Sequence, residues 1–342
     1  VPRLDYTDSS CPALLLEPQR TNLVTQSEYF ASWYQSGATT NTNNAISPDG
    51  TLNASLITIP SGGYGSVYTI PTSISGTTYT SSVYGKKGNQ NYLSLEYRVG
   101  AFSGNVDAVF DLNTGVVQAV LVFIEDVGNG WYRCSVTKVS TSSSALLIIG
   151  RGISGSSNDT VYLYGAETEA GSYATSYIPT YGTSVTRNVD TAINNNNTSL
   201  PTSYPFTLYS EMDVKAIGDE WGVSFLDVSA NNKYYVIGVN SIKKYSMLSR
   251  NNTASSVQST ANATEGAHKI CGVFTETTLK LFVDGVLLGS SNNAQSLASA
   301  ANDLLLGQLR VVSDTQIRNT IHQSLVFNQA LTDQEAIDLT TI

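Results

Sequence analysis

From Leu23 to about Pro179 the chain alternates short apolar-rich runs with turn clusters, and almost none of it shows the 3.6-residue period of a helix. The runs expected to form strands are Ser66–Ile70, Thr78–Tyr84, Tyr92–Tyr97, Ala108–Leu112, Gly115–Phe123, Trp131–Val139, Ala145–Ile149 and Val161–Gly165. Between them stand Ser-Pro-Asp-Gly (47–50), Pro-Ser-Gly-Gly (60–63), Asn-Thr-Gly (113–115) and Gly-Asn-Gly (128–130). These residue types supply the backbone angles that tight turns demand. Short strands at near-regular spacing, separated by such turns, predict a β-sandwich or jelly roll.

A second series begins after a polar, Asn-rich stretch. Its expected strands are Thr207–Val214, Gly222–Val228, Lys233–Val239, Tyr245–Ser249, His268–Phe274, Leu279–Val283, Leu304–Leu309 and Asn319–Phe327. The sharpest local signal is His268 to Ser290, where Asp284-Gly285 sits between alternating apolar runs, a strong mark of a two-residue hairpin turn. Thr332 followed by Glu335 marks the start of a closing helix of about two turns. The chain is therefore expected to be all-β, with two jelly-roll or β-sandwich domains in tandem and a short C-terminal helix. The expected boundaries are 1–22 as a lead-in strand or collar, 23–191 as the first domain, 192–204 as a linker and 205–342 as the second domain.

Composition narrows the functional classes. Apolar residues make up 41% of 342 residues, enough for a core in each domain, and charged residues only 13%. The net charge is −9 and no basic run occurs, which argues against nucleic acid and anionic membranes as partners. No stretch approaches the roughly 20 apolar residues of a membrane-spanning helix. Three cysteines, Cys11, Cys134 and Cys271, stand far apart in no metal-binding spacing, so Cys134 and Cys271 are expected to be buried as small apolar residues. The abrupt start at Val1 suggests a removed leader or a piece of a longer polypeptide.

Two resemblances follow from longer stretches. The hairpin, together with Leu304-Leu305-Leu306-Gly307 and IHQSLVFNQALTDQEAIDL (321–339), resembles laminin-G-like (concanavalin A-like) lectin domains, although His268-Lys269-Ile270-Cys271 stands where many relatives carry Trp-His-His-Val. The first domain is similar to carbohydrate-binding-module-like jelly rolls of bacterial and phage surface proteins. LLLEPQRTNLVTQSEYFASW (14–33), SPDGT (47–51), YTSSVYGKKG (79–88), FDLNTG (110–115), VGNGWYRCSV (127–136) and YGAETEAGSYATSYIPTYGTSVTR (164–187) carry that similarity. The first and last of these resemble segments of bacteriophage tail fibres and other virion proteins. The resemblances imply a non-catalytic glycan-binding or adhesion protein on a virion surface or outside a cell. They also imply partner fibre or virion subunits, a homo-oligomer (most naturally a trimer), and a structural Ca²⁺.

Sugar binding needs aromatic faces beside amides and carboxylates. Trp33, Tyr34, Tyr64 and Tyr68 are the candidates in the first domain, and Tyr234, Tyr235, Asn240 and Tyr245 in the second. Trp131 and Trp221 suit packing better, one in a turn-to-strand motif and the other opening an apolar strand. Asp49, Asp111, Asp126 and Glu167 are candidate calcium ligands, without EF-hand spacing. No catalytic residue is assigned. Glu211-Met212-Asp213 resembles the start of a glycosidase signature but lacks the second catalytic carboxylate, since Val214, Lys215, Ala216 and Ile217 follow. His268 and His322 are expected on strands, His322 and Gln323 near Arg318, and no Gly-x-Ser-x-Gly elbow is present. A polysaccharide lyase or glycosidase on this scaffold, and a ligand-free virion decoration or collar protein, remain the alternatives.

Overall fold

The computed structural model describes residues 3–5, 12–60, 65–99, 108–117, 122–141, 143, 145–150, 158–215, 220–226, 233–292, 303–307 and 319–342. It divides into two compact units, Arg20–Arg187 and the pair of segments Val1–Gln19 and Asn188–Ile342. Both are antiparallel and all-β, as the alternation of the sequence requires. No helix among the described residues is long and apolar enough to cross a membrane.

The Arg20–Arg187 unit holds two six-stranded sheets. One runs in the order Val116–Val117, Ala108–Asp111, Tyr92–Val99, Ala145–Ile149, Ser66–Thr69, Tyr34–Ser36. The other runs Val122–Asp126, Trp131–Val139, Thr78–Lys87, Asp159–Ala170, Leu52–Ile59, Thr39–Ile46. Alternate residues of both sheets, among them Leu93, Leu95, Phe110, Leu147 and Ile149 on one side and Ile57, Val83, Cys134, Val161 and Leu163 on the other, meet in one buried cluster. That is the core of a sandwich, built from the inward half of each strand. Gly128, Asn129 and Gly130 take φ of 87°, 55° and 76°, left-handed angles that glycine and asparagine tolerate, and so turn Val122–Asp126 back into Trp131–Val139.

The other unit pairs a seven-stranded sheet with a six-stranded one. The larger has the order Arg3–Asp5, Ala13–Leu16, Asn319–Phe327, Phe206–Val214, Gly266–Phe274, Leu279–Val283, Val286–Ser291. The smaller has Ala192–Asn194, Asp303–Leu306, Glu220–Leu226, Lys233–Val239, Tyr245–Asn251, Thr253–Gln258. Phe206, Leu208, Met212, Tyr235, Ile237, Met247, Ile270 and Phe274 fill the space between them. Asp284 and Gly285 have φ of 48° and 77°, the left-handed pair that closes a two-residue hairpin between Val283 and Val286. Helix Asp333–Thr340 begins with a complete capping box between Thr332 and Glu335 and lays Ala336 on Tyr209, Cys271, Val273 and Phe282.

Two segments outside the expected domains take part in these sheets. The lead-in segment, expected as a strand or collar, supplies the strand Ala13–Leu16, in which Leu14 pairs with Ile321 and Leu16 with Asn319. Arg3 then binds buried Glu17 at 2.7 Å and also pairs with Asp190. The stretch 192–204 is likewise folded in: Ala192–Asn194 pairs with Asp303–Leu306, and Asn196 N–H donates to Asp303 at 2.8 Å. Both joins are made across more than a hundred residues, and no local pattern announces them.

Gly238 tests the packing of the smaller sheet. A Cβ there would lie 2.4 Å from the Glu220 carbonyl oxygen and 2.7 Å from Trp221 Cα, at a φ of 155°. Gly238→Ala is expected to cost about 2 kcal/mol or more. Chemical denaturation followed at the tryptophans should show the lower midpoint; an unchanged midpoint would contradict this close approach.

Candidate functional site

In the sheet that ends at Tyr34–Ser36, outward-facing residues line up across the strands. Tyr34 pairs with Tyr68, Tyr68 with Ile148, and Ile148 with Glu96. The Tyr34 and Tyr68 rings stack with centroids 4.9 Å apart and planes 14° from parallel. Tyr34, on the edge strand, is 59% exposed, so one aromatic face is open to solvent. Along Tyr92–Val99 the outward positions read Tyr92, Ser94, Glu96 and Arg98, while Leu93 and Leu95 point into the core. Arg98 donates to Glu96 through Nε at 2.6 Å and Nη2 at 2.8 Å, a two-pronged and almost fully buried pair. The row thus ends in an exposed aromatic edge at Tyr34, and the sheet carries a second exposed tyrosine in Tyr92, while Ser94, Glu96, Arg98 and Ile148 are buried. The exposed Tyr34 edge can stack on the apolar face of a ring, with its phenol oxygen beside the ring's hydroxyls.

The other candidates from sequence are placed differently. Tyr64 lies outside the described residues. Trp33 is core: it packs on Phe30 at 4.8 Å, and its Nε1–H donates to the Gln26 carbonyl at 2.8 Å. Tyr235 is fully buried between Phe206 and Phe274. Tyr234 is buried on the opposite face of its strand, beneath the Arg250 guanidinium, 5.8 Å from the ring centroid. Asn240 closes a turn by accepting from the Ile242 and Lys244 amides at 3.2 and 3.0 Å. Tyr245 is buried with its hydroxyl against Thr264. The second cluster is therefore dispersed by packing, and only Tyr34 and Tyr68 come together as a surface.

The candidate calcium ligands do not converge either. Asp111 and Asp126 cap turns, accepting from the amides of Asn113 and Gly128, each at 2.8 Å. Asp49 accepts from Ser47 Oγ, from the amide and hydroxyl of Thr51, from Asn53 Nδ2 and from Tyr164 at 2.6 to 3.1 Å. Partial desolvation works against its charge, but the bonds from Ser47, Thr51 and Tyr164 hold it well below the usual carboxylate range. Glu167 is fully buried and bound by Arg133 at 3.0 Å. Among the described residues, no group of three or more His, Cys, Asp or Glu is placed to hold a metal ion.

Glu167 belongs to a buried polar layer on the outward side of the second sheet. Burial first, then the charge of Glu169, pushes its pKa well up, against the pull of Arg133. Glu169 is met by the Thr175 amide and hydroxyl at 2.6 and 2.7 Å and by Arg20 at 3.5 Å. Asn22 uses its whole amide: Nδ2–H donates to the carbonyls of Ala166 and Ile178, and Oδ1 accepts from Val24 and Thr168. These contacts fix the backbone between Thr175 and Thr180 over the sheet.

Glu211 and Asp213 share one face of Phe206–Val214; Glu211 meets the Tyr209 hydroxyl at 3.4 Å and Asp213 lies 3.2 Å from His322. Arg318 is outside the described residues. Sequence reasoning missed Glu96, Arg98 and Tyr92. The signal that could have found them is the alternation of YLSLEYRV itself, whose outward positions are all polar or aromatic.

Residues 186–336 match the sequence profile of the concanavalin A-like lectin/glucanases superfamily. No curated protein matches the chain. Among solved structures, it is similar to the CBM40 of Ruminococcus gnavus IT-sialidase bound to α2,3-sialyllactose, at 16% identity and a TM-score of 0.36, covering 41% of this chain and 84% of that one. It is also similar to domain 4 of AbnA, an extracellular arabinanase of Geobacillus stearothermophilus in complex with arabinotriose (12% identity, TM-score 0.35, 46% and 73% covered). A third is the heptameric SAP-like pentraxin of Limulus polyphemus (13%, 0.34, 40% and 70%).

Two outcomes check these electrostatics. Arg133→Met removes the cation that draws the Glu167 pKa down, so Glu167 is left protonated with its hydrogen bond unmade, and stability should fall by about 1–3 kcal/mol at neutral pH; a midpoint close to wild type would refute the buried pair. The folded-state pKa of Asp49 lies below its unfolded value, so its small contribution is complete above about pH 4 and lost as pH falls further. The stability gap between wild type and Asp49→Asn should accordingly be constant from neutral pH down to that point and close below it. A gap of constant size throughout would contradict the assignment.

Proposed function

We propose that this protein is an adhesion module that binds polysaccharide reversibly on the Tyr34–Tyr68 face. The observation that carries this reading is the stacked pair of exposed Tyr34 on half-buried Tyr68, at the edge of the sheet that holds the buried Glu96–Arg98 pair. The superfamily match of residues 186–336 supports a lectin-like setting, and the net charge of −9 favours a neutral ligand over a strongly acidic one.

The resemblance of its first and last N-terminal-domain segments to tail-fibre sequences supports a virion or extracellular surface as the place of action. Display in an oligomer, with a trimer the natural state for a fibre, raises the avidity of individually weak sites.

The test is retention and product analysis on a panel of cell-surface and environmental polysaccharides. Wild type is expected to bind at least one and to release no sugar fragments. Tyr34→Ala and Tyr68→Ala should each weaken binding about tenfold, since a stacking contact is worth on the order of 1 kcal/mol beyond its buried area. Undiminished binding by both variants would overturn the assignment of the face. Reducing ends or unsaturated uronates among the products would replace adhesion with polysaccharide cleavage and direct attention to Glu211, Asp213 and His322. Failure to bind any glycan would favour a structural virion component.

A further inference from the structure

The turn at Asp284 brings together three side chains that sequence spacing keeps apart. Asp284 Oδ2 lies 2.6 Å from His268 Nδ1, and His268 Nε2 lies 3.2 Å from Thr264 Oγ1. Asp284 is fixed from below: its Oδ1 accepts the Lys269 amide at 2.9 Å, and its own amide donates to the Lys269 carbonyl. An ionised carboxylate only accepts, so the imidazole proton is held on Nδ1 and Nε2 is left to accept from the Thr264 hydroxyl. The His268 side chain is 11% exposed, whereas Thr264 stands at the surface. Tyr245 packs edge-on against His268 at 5.4 Å, with its hydroxyl 3.4 Å from Thr264 Oγ1. That hydroxyl also accepts the Thr264 amide at 3.3 Å, and burial raises its pKa, keeping it a proton donor.

From this geometry we propose that Thr264, His268 and Asp284 form an acyl-transfer site that hydrolyses small O-acyl esters. The arrangement is a nucleophile in contact with a base whose orientation and tautomer are set by a carboxylate. Thr264 Oγ attacks the ester carbonyl as its proton passes to His268 Nε2. Tyr245 O–H donates to the oxygen that gains charge. The C–O bond to the alcohol breaks, and the alcohol leaves with the proton from Nε2. Water then attacks the Thr264 ester, passing a proton through Nε2 to Thr264 Oγ, and the carboxylic acid is released. His268 and Thr264 are the catalytic residues, and Asp284 positions the base. O-acetylated polysaccharide is the natural source of such esters for a glycan-binding protein; that identification alone rests on the adhesion reading.

The probe is p-nitrophenyl acetate with the whole 342-residue chain, followed by p-nitrophenol release and peptide mass analysis. An initial burst is expected, with the peptide containing Thr264 gaining the mass of one acetyl group. Thr264→Val and His268→Gln should lower the rate roughly 100-fold, and Thr264→Ser, which restores a hydroxyl nucleophile beside the same base, should recover the burst that Thr264→Val lacks. Asp284→Asn, which suits the same turn but can reverse the tautomer, should reduce the rate and flatten its pH profile without displacing the denaturation midpoint. Because Thr264 is exposed, Thr264→Val should unfold at the wild-type midpoint, so its loss of activity is chemical. Wild-type rates in Thr264→Val, acetylation confined to other residues, or no burst at all would overturn the proposal. Polysaccharide retention by Thr264→Val is a separate readout, and its failure would count against the adhesion reading alone.

Discussion

Every strand in this protein has two faces and one core to serve, and that constraint organises the rest. Successive side chains of a strand point to opposite sides, so a two-layer sandwich takes half of each strand into its interior. The other half must be made compatible with water, with a second packed layer, or with a ligand. In Tyr92–Val99, Leu93 and Leu95 satisfy the interior, which leaves Tyr92, Ser94, Glu96 and Arg98 together on the far side. In Phe206–Val214 the same division puts Leu208, Met212 and Val214 inward and Tyr209, Glu211 and Asp213 outward. Functional chemistry on such a scaffold is whatever the outward half presents.

The Arg20–Arg187 unit uses its two outward faces in different ways. Over the sheet containing Asp159–Ala170, Tyr84, Tyr164 and Tyr177 pack ring against ring at 5.6 to 6.0 Å, above the Arg133–Glu167 pair. Burying ions is costly unless they are paired and hydrogen-bonded, and here both carboxylates are held: Glu167 by Arg133, Glu169 by Thr175 and Arg20. That layer fixes backbone and takes up several tyrosines that composition alone would assign to a binding surface. The opposite sheet leaves Tyr34 and Tyr92 exposed. Packing, more than residue type, separates platform from core.

How much of this was legible follows from how local each signal is. The Asp284-Gly285 hairpin and the Thr332–Glu335 cap are encoded within a few residues, and both formed as the sequence indicates. Strands Lys233–Val239, Leu279–Val283 and Asn319–Phe327 matched their expected bounds, each apolar run ending at a polar residue that opens a turn: Asn240, Asp284 and Asn328. Thr39–Ile46 escaped notice, since its residues are polar and mostly exposed at a sheet edge. The pairing of Ala13–Leu16 with Asn319–Phe327 and the meeting of Thr264, His268 and Asp284 depend on tertiary register. Trp33 had the composition of a ligand platform, but its indole found a carbonyl partner and a ring neighbour inside the core.

The central claim is that ligand contact falls on the Tyr34–Tyr68 face and not on the buried tyrosines. Ring-labelled tyrosine NMR during titration with a bound polysaccharide tests it most directly. The account predicts shifts at Tyr34 and Tyr68, with smaller ones at Tyr92, while Tyr234, Tyr235 and Tyr245 stay in place. Shifts confined to Tyr234, Tyr235 or Tyr245, with Tyr34 and Tyr68 unmoved, would contradict it.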